Sequence, residues 1–158
     1  MRQALPNRRV ENFSRATCEW IMREAGDVLG WMGYAPTSYW IAGSVARGIA
    51  DPGDLDLVCI LPREQAEACI WQADNVTLQD FDYAGDVLSN RLGIDVDLLP
   101  QNEIATPRGG FPPVSAEGHA VPVYDLTARR LYGRQPGQIV ETRFRYDVER
   151  GIHVFRAS

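Results

Sequence analysis

Apolar residues recur at helical spacing between residues 13 and 32, at Cys18, Ile21, Ala25, Val28, Leu29 and Met32, which predicts an amphipathic helix. Asn12 or Ser14 supplies its cap, and Gly33 ahead of Ala35-Pro36 its stop. The pattern then shortens. Ser38 to Ala42 reads as a strand and Asp54 to Leu61 as a longer one. Pro62 opens a second helix running to about Ala73. Tyr83 to Leu92 predicts a third, with Asp82 as cap and Gly93 as stop, and the strand Ile94 to Leu99 follows directly.

Beyond Pro100 the periodicity weakens. Ala105 to Ser115, rich in Pro and Gly, reads as a loop. Ala120 to Leu126 is expected to be a strand and Ala128 to Tyr132 a helical turn. Gln138 to Asp147 and Ile152 to Phe155 predict a hairpin around Glu149-Arg150-Gly151. No repeat or linker divides the chain. The reading is one α/β (α+β) domain over residues 1–158, with a small mixed sheet and an unassigned stretch over 101–158.

Composition narrows the classes. With 158 residues and 45% hydrophobic content the chain can build one ordinary core. No run is long and apolar enough for a membrane span, and residues 1–10 lack the apolar stretch of a signal peptide. Cys18, Cys59 and Cys69 show neither CxxC nor His-paired spacing, so a cytoplasmic, reducing setting is expected. All 16 cationic residues are arginine. That removes a Walker lysine, a Schiff-base lysine and a lysine acid from consideration. The net charge of −5, without a long basic block, argues against a stand-alone duplex-binding surface.

Two strands carry charge where strands of this kind are normally apolar. Alternation puts Asp54 and Asp56 on one face of the first, while Asp95 and Asp97 share a face of the second. Two unit charges about 4 Å apart repel by roughly 4 kcal/mol at an effective dielectric near 20. A hard divalent cation is the natural counter-charge, and a pair of Mg²⁺ ions fits an all-oxygen donor set. The preceding segment, Gly43-Ser44-Val45-Ala46-Arg47-Gly48, adds a flexible turn, a hydroxyl and a guanidinium. These are the groups a triphosphate needs when no lysine is present.

The order Gly43-Ser44, then Asp54-x-Asp56, then Ile94-Asp95-Val96 resembles the signature of the DNA polymerase β-like nucleotidyltransferase superfamily. The stretch Gly-Ser-x-x-Arg-Gly followed by Gly-Asp-x-Asp is particularly similar to family X polymerase palms, and Ile94 to Pro100 resembles their third-aspartate strand. The likeness covers about residues 38–100. It implies a palm-like mixed sheet flanked by helices. Gly43, Ser44 and Arg47 would bind the phosphates of the incoming NTP, ATP among the possibilities. Asp54 and Asp56 would hold both metals, and Asp95 the catalytic one, with Mn²⁺ as a possible substitute for Mg²⁺. The implied reaction is transfer of a nucleoside monophosphate to a hydroxyl acceptor with pyrophosphate leaving. The acceptor is open among a protein side chain, a nucleic-acid 3′ end and a small molecule.

Asp97 competes for the third place, and the resemblance selects Asp95. Asp97 is also a departure, because several family X polymerases carry arginine there and a basic residue at the place of Gly93. Three alternatives stand beside the general enzyme: a minimal nucleotidyltransferase antitoxin modifying a toxin partner, an inactive nucleotide-binding module, and a reduced polymerase palm. The antitoxins commonly show one residue more between Gly-Ser and Asp-x-Asp than the nine here.

The other conspicuous residues have plainer readings. Trp20, Trp31 and Trp40 are expected to pack, Trp71 to sit on a helix surface, and His119 and His153 to be surface or satisfied polar groups. Arg108-Gly109-Gly110 suits a substrate loop but is also an ordinary Gly-rich loop. Arg143 and Arg145 mark one strand face, with Phe144 and Tyr146 on the other.

Overall fold

The computed structural model describes residues 9–49, 53–62, 76–102 and 122–132, together with Leu5 and Gln65, and for 142–147 and 152–157 the backbone alone. After a short 3-10 turn at Val10–Asn12, α1 runs from Arg15 to Trp31. Ser14 caps it by accepting the Thr17 amide on its side chain. One stripe of α1, Cys18, Ile21, Ala25, Val28 and Leu29, is buried as the apolar spacing requires. The chain turns at Gly33, with φ of 88°, and enters β1 (Ser38–Ala42). A single-turn helix α2 (Gly43–Ala46) follows, then β2 (Asp54–Leu61). Helix α3 (Val76–Leu92) leads into β3 (Asp95–Asn102). Strands β4 (Val123–Asp125) and β5 (Arg130–Tyr132) complete a five-stranded sheet of order β3-β2-β1-β4-β5. The sheet is mixed and flanked by helices, the α+β architecture expected from the sequence. Strands β2 and β3 run parallel while the other pairs are antiparallel. A second, two-stranded sheet pairs β6 (Thr142–Asp147) with β7 (Ile152–Ala157).

The two faces of the large sheet differ. Ile41, Leu55, Leu57, Cys59, Leu61, Val96 and Leu98 pack with the buried stripes of α1 and α3 into the main core. Residues of opposite parity, Trp40, Ala42, Val58, Ile60 and Val123, form a second apolar cluster, joined by Leu99 and Tyr132. Each fully buried Leu contributes about 1.5–3 kcal/mol, so the helix-covered face dominates the stability. Gly85 lets α3 lie close on β3, where a Cβ would stand 3.1 Å from the Val96 carbonyl oxygen. Ser89 secures that contact, donating from Oγ to Gly85 O at 2.7 Å and accepting from Val96 N at 2.8 Å.

Three local readings need correction. Helix α3 begins at Val76, so Asp82 lies inside it rather than capping it. The stripe Thr77, Phe81, Ala84, Leu88 and Leu92 is buried, and it draws the acidic first half into the helix by packing. Ala128 to Tyr132 is not a helical turn. Asp125 Oδ1 accepts from Thr127 N and Ala128 N, Arg129 takes a left-handed φ of 53°, and residues 130–132 return as β5 against β4. Trp31 does not pack inside; it is 68% exposed, with the Arg91 guanidinium 5.0 Å from its ring centroid. Trp20 and Trp40 are buried as expected. The predicted helix after Pro62 shows only its opening bond, Gln65 N to Pro62 O. Its remainder lies outside the described residues, as do the loop at 105–115, Arg108-Gly109-Gly110, Cys69, Trp71, His119, and the side chains of Arg143, Arg145 and His153.

Candidate active site

The sheet register assembles the carboxylates. In the parallel pair, Asp54 stands opposite Asp95 and Asp56 opposite Asp97. All four fall on the face away from the helices, because Leu55, Leu57, Val96 and Leu98 occupy the core side. From the other flank, β1 brings Ala42 opposite Asp56, so α2 starts directly beside that side chain.

Carboxylate oxygens of Asp54, Asp56 and Asp97 lie within 4.8 Å of one another. Asp95 is not in this group of three. It lies on the rim, lining a cleft of about 580 Å³ with Gly53, Asp86, Ser89, Asn90, Gly93 and Ile94. The third carboxylate of the cluster is thus the one that the polymerase likeness set aside. Alternation along β3 puts Asp95 and Asp97 on the same face, and the pairing with β2, which sets Asp97 opposite Asp56, is what brings Asp97 into the cluster.

The carboxylates repel one another and are partly desolvated. Burial pushes the Asp56 carboxyl up to about 7, and repulsion from Asp54 and Asp97 adds to it, while Arg47 acts in the opposite direction. Asp97 is also raised, chiefly by desolvation and by its hydrogen bond with Asp54. An all-oxygen set of three carboxylates suits a hard divalent ion.

Gly43 adopts φ of 66°, and a Cβ built there would collide with Asp56 Oδ2. A glycine is therefore required for the Asp56 carboxylate to lie against the start of α2, a closeness that the sequence reading had reserved for a phosphate. Ser44 is half-buried on the first turn. Arg47 ends it, its amide bonded to Gly43 O at 3.0 Å, and Ile49 N closes back on Ser44 O. Arg9 Nη2 reaches Gly48 O at 3.4 Å from the N-terminal segment. The sequence therefore placed Gly43, Ser44, Arg47, Asp54 and Asp56 around one locus, and the structure brings them there with Asp97.

The profile of the nucleotidyltransferase domain family matches residues 22–117, more than half of the chain. This chain belongs to the nucleotidyltransferase domain family. The match runs from within α1 to beyond β3 and so covers every residue of the carboxylate cluster and of the Gly43–Arg47 turn. Comparisons with curated proteins and with solved structures found no match. Among the described residues of this nucleotidyltransferase domain, no helix is long and apolar enough to cross a membrane.

Proposed function

We propose that the chain transfers a nucleoside monophosphate from an NTP to a hydroxyl acceptor and releases pyrophosphate. The observation that carries this reading is the convergence of Asp54, Asp56 and Asp97 within 4.8 Å on the paired strands β2 and β3, with the Gly43-Ser44 turn beside Asp56. Asp54, Asp56 and Asp97 would hold divalent cations, with Mg²⁺ first and Mn²⁺ as a substitute. Such ions would neutralise the triphosphate and acidify the acceptor hydroxyl. We assign the third place to Asp97 in preference to Asp95, on its proximity to the other two.

The protein groups divide the remaining work. Backbone amides of the Gly43-Ser44 turn, the Ser44 hydroxyl and the Arg47 guanidinium bind the phosphate oxygens. Arg47 also lies close enough to Asp56 to stabilise its charged form. Asp95 lines the rim cleft; were the acceptor to enter there, Asp95 would receive its hydroxyl proton.

Each α-labelled NTP, incubated with Mg²⁺ or Mn²⁺ and candidate acceptors, tests the reading by where label appears. Label on an acceptor that disappears with Asp56→Ala supports it. Label transfer surviving Asp56→Ala would defeat the metal-site assignment.

A further inference from the structure

A second cavity, of about 310 Å³, opens between α1 and the turn joining β4 to β5. It lies on the helix-covered side of the sheet, away from the carboxylates. Its lining is Arg15, Cys18, Glu19 and Met22 from one stripe of α1, with Leu126, Thr127 and Arg129 from the turn. The two cations face one anion. Glu19 is one helical turn from Arg15, yet among the described residues neither Arg15 nor Arg129 forms a salt bridge. The floor is soft and closed: Cys18 and Leu126 are each 1% exposed, and the Cys18 thiol is hydrogen-bonded to the Tyr124 hydroxyl.

The turn is held in position for this arrangement. Asp125 caps it through Thr127 N and Ala128 N, Leu126 N bonds to Tyr39 O, and Thr127 Oγ1 donates to Met22 Sδ at 3.7 Å. Arg129 alone among the described non-glycine residues has positive φ, at 53°. A long side chain in that conformation costs about 1 kcal/mol, which a glycine would avoid. The volume is at the lower end of small-ligand sites, roughly 300–1,000 Å³.

We propose that this cavity binds a small phosphate-bearing molecule, its phosphate between Arg15 and Arg129 and its apolar part on Met22 and Leu126. Guanidinium forks suit a phosphate's oxygens, and the proposal is independent of the transfer reaction assigned to the carboxylates. The test is titration of the ¹⁵N-labelled full chain with AMP in EDTA, following the Thr127 and Ala128 amides, with adenosine as the control lacking phosphate. Saturable shifts with AMP and none with adenosine are expected. Arg15→Gln combined with Arg129→Gly should weaken binding at least about tenfold, whereas Arg47→Gln should leave it unchanged. Arg129→Gly relieves the left-handed strain, so a melting temperature at or above wild type separates lost binding from lost folding. Shifts equal for AMP and adenosine, shifts retained in the double variant, or shifts abolished by Arg47→Gln would each overturn it. So would the absence of saturation up to about 1 mM.

Discussion

Asp56 carries the largest electrostatic burden of any described carboxylate. Desolvation and two carboxylate neighbours raise it to about 7, whereas in the unfolded chain it ionises in the ordinary carboxylate range, so without a cation the fold loses stability as pH rises between the two and carries the full cost above about 7. Asp56→Asn removes the charge and keeps the shape. In EDTA at pH 8 the variant is expected to melt above wild type, and it should lose most of the stabilisation that Mg²⁺ gives wild type. Thermal denaturation with and without Mg²⁺ checks both. Asp97 and Asp95 make a second comparison at this scale. Asp97→Asn should lower the rate of label transfer by about 10³-fold, as loss of a metal ligand would, and Asp95→Asn by less. The opposite ranking in a single-turnover assay would return the third place to Asp95. The sequence made Asp54 and Asp56 plain, because alternation alone pairs them. For the third place the family resemblance selects Asp95, whereas the proximity that favours Asp97 depends on how β2 and β3 pair, which no single strand contains.

At the level of elements, the site depends on how closely backbone approaches side chain. Gly43→Ala forces a Cβ into Asp56 Oδ2 at a φ that L-residues rarely adopt. Loss of transfer activity is expected, with a stability cost of about 1–2 kcal/mol in urea denaturation. Ser89 joins α3 to the strand bearing Asp97, through Gly85 O on one side and Val96 N on the other. Ser89→Ala leaves a half-buried amide unsatisfied and should cost about 1–2 kcal/mol in the same measurement. Here the sequence was readable where periodicity was strong. Helix α1, β1 and β2 follow from spacing and caps. The start of α3 was missed because Asp80 and Asp82 imitate a helix boundary, whereas burial of Thr77 and Phe81 decides it. Strand β5 was missed for a related reason: three residues hold no period, and only the Asp125 cap and the φ of Arg129 turn them back.

For the molecule as a whole, the large sheet separates two tasks. The helix-covered face carries most of the apolar burial, and the opposite face combines a smaller apolar cluster with the carboxylates. A ligand that binds only the folded state stabilises it by about 2.7 kcal/mol at a hundred times its dissociation constant. Mg²⁺ with a non-hydrolysable NTP analogue should therefore raise the melting temperature above that with Mg²⁺ alone, and EDTA should reverse the effect of the ions. No difference between these conditions would count against joint binding of cation and nucleotide.

Among the described strands, β3 ends the large sheet, so the backbone edge that β2 does not use faces outward. Such an edge invites a strand from another copy of the chain. Asp95 and Asp97 give this edge strand two negative charges, carried on the sheet face, and Pro100 has no amide to donate. The same carboxylates proposed for chemistry would, by their charge, also disfavour pairing with a second copy. Replacing both with alanine should promote self-association at millimolar protein in light scattering, and concentrated samples of such variants would underestimate the activity of each molecule.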